Sequence, residues 1–190
     1  MTEFPTDPIE PTVPQDPTAS VETALGETGD NSEGFPGNHW VLPTDIDLVE
    51  KTADAFIKKL EEAGLDKDSD EVYYLGIAFR EALINAVAHG NLGIEMPEGS
   101  TRTLGELAKE EQIANPTDKK VYVDIEIDAG KISVTVRDEG RGFNWREIPD
   151  PTVGDARFKP KGRGMMFMKS LFDSVTYNES GNEVTMVKAR

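Results

Sequence analysis

The chain has no cysteine, so it can form neither a disulfide nor a thiolate metal site. Its two histidines, His39 and His89, are too few for a histidine-rich metal centre. Positive charge is scarce: 20 Lys and Arg face 36 Asp and Glu, leaving a net charge of −16 at pH 7. An unassisted grip on nucleic acid, or docking on an anionic membrane surface, needs clustered Lys and Arg. Neither nucleic acid nor membrane is therefore an expected partner. No apolar run approaches the roughly 20 residues that span a bilayer. The opening residues, MTEFPTDPIEPTVPQDP, lack the basic start and apolar stretch of a signal peptide. A soluble cytoplasmic protein is the expectation.

What is present divides the chain in two. Residues 1–34 contain eight Asp or Glu and no Lys or Arg, with prolines at 5, 8, 11, 14 and 17. That spacing matches the three-residue turn of polyproline II, which is extended and has no internal hydrogen bonds. Such a segment cannot bury enough apolar surface to offset its ordering entropy. An acidic, disordered Pro-rich tail is expected over 1–37 and one folded domain over 38–190. With 37% hydrophobic residues in 190, the chain can build a core of ordinary size.

Within the domain a short strand, His39 to Leu42, leads into Pro43-Thr44-Asp45, where Thr44 or Asp45 can cap a helix. Leu48, Ala55, Phe56, Leu60 and Ala63 recur at helical spacing, and Gly64 stops the helix. A second helix is predicted from about Ser69 to Ala88, ended by Gly90. Strands follow at Val121–Ile127 and Lys131–Arg137, joined at Asp128-Ala129-Gly130. Next come a Gly- and Pro-rich loop, a helix from about Gly164 to Phe172, and a hairpin, Ser174–Asn178 with Glu183–Lys188. An extra stretch, 92–118, carries one weak helix near Leu104–Ile113. These elements predict an α/β fold: a two-layer sandwich of mixed, mostly antiparallel sheet with helices on one face.

Three places carry chemistry. On the second helix, Val72, Leu75, Phe79, Ala82, Leu83, Ala86 and Val87 form an apolar stripe, while Glu81 and Asn85, four apart, are neighbours away from it. A carboxylate beside a carboxamide offers oxygens suited to a hydrated Mg²⁺ and to an activated hydroxyl; the plainer alternative is a solvated helix face. The second place is Asp138-Glu139-Gly140-Arg141-Gly142-Phe143, directly after a strand. Its glycines allow positive φ or close approach of a ligand to backbone. An ionised Asp only accepts hydrogen bonds, so it selects a donor such as the amino group of adenine; the alternative is a glycine turn. The third is Gly162-Arg163-Gly164, opening a helix whose free N–H groups and dipole favour phosphate. Lys159 and Lys161 add positive charge there, and a loop hinge is the alternative.

Taken in order, acidic-Asn helix, strand–DxGxG and loop–GxG–helix, these segments resemble the ATPase fold shared by histidine kinases, Hsp90 chaperones, type II topoisomerases and the MutL repair proteins. The stretches FREALINAVAHGN, VRDEGRGFN and GRGMMFMKSLFDSVTYNESGNEVTMVK resemble the bacterial anti-sigma-factor serine/threonine kinases over about residues 38–190. The resemblance implies that Glu81 is the catalytic base and Asn85 the Mg²⁺ ligand. It implies that Asp138 binds the adenine of ATP, with Gly140 and Gly142 shaping the pocket. Gly162 and Gly164 match glycines of an ATP lid that also contains Lys161 and Arg163, while His89 and Asn91 match positions near the phosphates.

The family often has an arginine before the lid glycines, where this chain has Lys159, Pro160 and Lys161. The 92–118 stretch also exceeds what compact members need. The implied partners are an anti-sigma-factor antagonist and a sigma factor, with a homodimer to which His39–Ala63 contributes. The rival expectation is an ATP-gated binding module that sequesters a regulator without useful catalysis.

Overall fold

A computed structural model describes residues 35–97, 100–147 and 163–190. The expected tail therefore lies almost wholly outside the described residues. Five strands form one sheet in the order β1-β2-β3-β5-β4: β1 His39–Pro43, β2 Lys120–Ile127, β3 Lys131–Asp138, β4 Ser174–Tyr177 and β5 Glu183–Ala189. The helices are α1 Leu48–Glu62, α2 Asp70–Ile84, α3 Leu104–Ala114 and α4 Arg163–Leu171. The α/β fold is as expected, and among the described residues every strand pairing is antiparallel rather than mixed. Hairpins account for β2–β3 and β4–β5. The other two pairings join strands far apart in sequence, whose mutual direction no local pattern records.

Period-two alternation sorts the strands into two faces. Val121, Val123 and Ile125 of β2, Ile132, Val134 and Val136 of β3, and Val184 and Met186 of β5 are buried against the helices. The opposite face carries Tyr122, Asp124, Thr135 and Thr185 and is more exposed. From α1, Phe56 and Leu60 point into the core, meeting Leu75, Phe79 and Leu83 of α2. The Phe56 and Phe79 rings lie 4.6 Å apart. Met168 and Phe172 bring α4 and its end into the same core.

Three local expectations are revised. No side-chain hydrogen bond caps α1, and its N-cap is Asp47. The Thr44 hydroxyl instead donates to the Lys119 carbonyl at 2.7 Å, and Asp45 closes a turn by accepting from the Asp47 N–H at 2.9 Å. The helix of the extra stretch is well started, with a reciprocal capping box between Thr103 and Glu106.

The end of the second helix bears on the site. The second helix begins at its Ser69 cap, as expected, but is α-helical only to Ile84. Residues Asn85–Asn91 then continue as a π-helix, a geometry that places each bond five residues back and often marks functional positions. Its last bond runs from the Leu92 N–H to the Val87 carbonyl, 3.0 Å. A π turn rotates less per residue than an α turn, so His89, Gly90 and Asn91 emerge in new directions.

Candidate functional site

The site gathers where α2 and its π extension pass between the start of α4 and the end of β3. Glu81 and Asn85 are both half-buried rather than solvated. The reason is Gly164 in the first turn of α4. A Cβ placed on it would lie 3.0 Å from Glu81 Oε2 and 3.1 Å from Asn85 Nδ2, so the lack of a side chain lets the helix start rest on both groups. Burial raises the Glu81 carboxyl above the ordinary glutamate range, against the opposing charge of Arg80. A base with a raised pKa holds an abstracted proton better near neutrality. Arg80 itself is turned to Glu50, 2.6 Å away.

On the other side stands Asp138, the last residue of β3. Its carboxylate is packed between two glycines whose lack of Cβ makes room for it. A Cβ on Gly90 would sit 2.4 Å from Asp138 Cγ, and one on Gly140 would sit 2.8 Å from Oδ1. The Gly140 N–H donates to Asp138 Oδ1 at 2.7 Å. Burial dominates its electrostatics and pushes the carboxyl up to about 6, opposed by the Gly140 hydrogen bond and the charge of Lys119. A half-buried carboxylate with one internal donor keeps acceptor capacity for a ligand donor. The loop is also held close to the helix, since a Gly140 Cβ would fall 2.2 Å from the Gly90 carbonyl oxygen. Gly140→Ala must force backbone from backbone and is expected to cost about 1–3 kcal/mol. Urea unfolding measures this, and a loss below about 0.5 kcal/mol would contradict so tight an approach.

Both flanks of this loop are tied by asparagines. Asn91 is buried at 5% exposure. Its Nδ2 donates to Thr44 Oγ1 at 2.8 Å and to the Lys120 carbonyl at 2.9 Å, and its Oδ1 accepts from the Glu139 N–H at 2.7 Å. Asn182, in the β4–β5 turn, donates to the Asp138 carbonyl at 2.9 Å and accepts from the Asp138 N–H through its own carbonyl at 2.9 Å. The Glu139 side chain takes the Lys120 N–H at 2.7 Å and the Tyr122 hydroxyl at 2.8 Å. The start of the loop is thus tied to the end of the π-helix, to β2 and to the β4–β5 turn.

The expected site residues are thus only partly gathered. Glu81, Asn85 and Gly164 form one group; Asp138, Gly140 and Gly90 form a second, joined to the first by the π-helix. Gly142, at φ +69°, faces the hairpin: a Cβ there would strike the Ser180 carbonyl, and the adjacent Phe143 N–H donates to that same oxygen at 3.1 Å. It fixes the turn contact and does not line Asp138. His89 is exposed, with Nδ1 donating to the Ile94 carbonyl at 2.6 Å. The resemblance puts Asn91 near the phosphates, but its carboxamide is taken up inside the protein. Lys161 and Gly162 lie outside the described residues, and of Arg163 only its place at the start of α4 is described.

Lys119, Asn182 and Thr44 are site neighbours that local pattern does not assign. Asn182 carries only a turn signal, as the last residue of Ser-Gly-Asn, and Thr44 only a helix-cap signal. Among the described residues, no group of three His, Asp or Glu side chains could hold a metal ion. The Glu81 and Asn85 oxygens are hard donors of the type that suits Mg²⁺, as a pair rather than as a full cage. No helix among the described residues is long and apolar enough to cross a membrane. The family model described as "histidine kinase-like ATPase domain" matches residues 42–188. No curated protein matches the chain.

Proposed function

The chain belongs to the histidine kinase-like ATPase domain family, which implies ATP binding, and from that premise we propose that it is a protein serine kinase of the anti-sigma-factor type. The observation that carries this is the seat of Gly164 on the Glu81–Asn85 pair, which sets a helix start against a half-buried carboxylate of raised pKa. A helix start favours phosphate, and the carboxylate can accept a proton. A pure binding module has no use for that base. Asp138 reads the adenine amino group as a hydrogen-bond donor, in a slot that Gly90 and Gly140 leave open for it.

ATP with Mg²⁺, when bound, supplies the γ-phosphoryl group and the counter-charge for its transfer. Asn85 would hold the metal through its carboxamide oxygen. Glu81 takes the proton of a partner serine hydroxyl as that oxygen bonds to phosphorus and ADP leaves. The helix start at Arg163–Gly164, with Lys161 and Gly162 before it in sequence, is proposed to steady the phosphate chain, with His89 of the π-helix as a further contributor.

The partner that receives phosphate is proposed to be an anti-sigma-factor antagonist, and the protein held in its absence a sigma factor. A strongly acidic surface favours partners with basic patches. Residues 38–190 are proposed as the working domain, paired in a homodimer through the His39–Ala63 region and acting in the cytoplasm. The test mixes the chain with the antagonist-like protein encoded nearest to it. With ADP the two should form a complex on size exclusion. With ATP and Mg²⁺, phosphoserine should appear on the partner and the complex should separate. A complex that persists in ATP with no phosphoserine would instead favour an ATP-gated binding module.

A further inference from the structure

The carboxylate of Asp138 can select a base only if it is held at a fixed place, and the loop that carries it turns on flexible glycines. The π-helix end supplies a fixed point. Asn91 reaches three elements at once: Thr44 between β1 and α1, Lys120 at the start of β2, and Glu139 next to Asp138. Its main-chain carbonyl also accepts from Lys119 Nζ at 3.0 Å, on the residue whose charge bears on Asp138. One residue back, Gly90 forms the wall against the same carboxylate. Both hydrogens of the carboxamide are used and its oxygen is engaged, which leaves it little freedom to rotate.

We infer that Asn91 is the positioning residue for adenine recognition: it pins the Glu139 N–H to the end of the π-helix and so sets Asp138 at the distance and angle at which it reads the base. This rests on the reading of Asp138 as the adenine acceptor. Asn91 does not touch the nucleotide in this account; it acts through the loop. A residue that only supports the fold would weaken all nucleotides together. A residue that aims Asp138 changes the choice between bases.

The experiment compares ADP with inosine diphosphate, which has the same phosphates but an oxygen in place of the amino group. Binding to the full chain is measured by calorimetry for wild type, Asn91→Ala and Thr44→Val. Wild type should prefer ADP by about tenfold or more, the size of one charged hydrogen bond. Asn91→Ala should lose most of that preference, chiefly through weaker ADP binding. Thr44→Val removes the acceptor behind the carboxamide, together with the hydroxyl's own bond to the Lys119 carbonyl, and should lose a smaller part. It carries the test alone if Asn91→Ala, which strands three hydrogen-bond partners, does not fold.

Preference retained in the folded variants, with both nucleotides weakened alike or not at all, would overturn the role of Asn91 and leave Asp138 untouched. No ADP preference in wild type would overturn the reading of Asp138 itself, which is a different result.

Discussion

Replacing Asp138 by Asn is expected to make the domain more stable at neutral pH while it loses its hold on ATP. The carboxyl has its pKa raised from 3.8 to about 6 by burial. Below the unfolded value both states are protonated and burial carries no charge penalty. As pH rises through about 6 the folded state must ionise a buried group, and the stability it enjoyed in acid is lost. Asn has no charge to bury and can keep the hydrogen bond from the Gly140 N–H.

The variant should therefore match wild type near pH 4 and exceed it at pH 7–8. Each pKa unit corresponds to about 1.4 kcal/mol. Discounted for the solvent that still reaches the group, the gain is on the order of 1–3 kcal/mol, or several degrees in Tm. ATP affinity should fall about 10- to 100-fold, because a charged acceptor for the base has become a weaker one. Thermal melts across pH 4–8, together with calorimetry, check both halves. A variant less stable at every pH would show that the ionised form is not strained.

Glu81→Gln is expected to give the largest catalytic effect. Glutamine has nearly the shape of glutamate, so the seat of Gly164 against it should survive. It cannot take a proton, and loss of a positioned base costs about 10²–10⁴-fold in rate. ATP affinity should change by no more than about threefold, so the loss falls on kcat. The pH–rate profile gives an independent sign. Because burial holds the Glu81 carboxyl above the usual glutamate range, the acid limb of the wild-type profile should lie at higher pH than a free glutamate would give. That limb should vanish in the variant. Normal transfer by Glu81→Gln would show that another group takes the proton.

Much of this architecture could be read from local pattern. Alternation marked β2 and β3, the apolar stripe marked α2, and Ser180-Gly181-Asn182 marked the last turn. Asp138 was placed correctly at the end of a strand, and Gly164 at the start of a helix. The π-helix was not legible, because Ala82, Leu83, Ala86 and Val87 continue the stripe without interruption. Hydrophobic spacing does not reveal whether a carbonyl is bonded four or five residues on.

The task of Asn91 was equally hidden. Its partners lie 47, 29 and 48 positions away, so nothing in its neighbourhood announces them. The same three-way tie explains the misplaced helix cap, since the Thr44 hydroxyl is committed to Lys119 and Asn91 rather than to α1. Tertiary partners outcompeted a local preference.

The decisive experiment follows label from γ-labelled ATP, with Mg²⁺, to the antagonist-like protein, in wild type and Glu81→Gln at matched ATP occupancy. Label is expected on a partner serine with wild type, and almost none with the variant. Saturating ATP on both proteins with no label on any serine, or equal label from both, would contradict it.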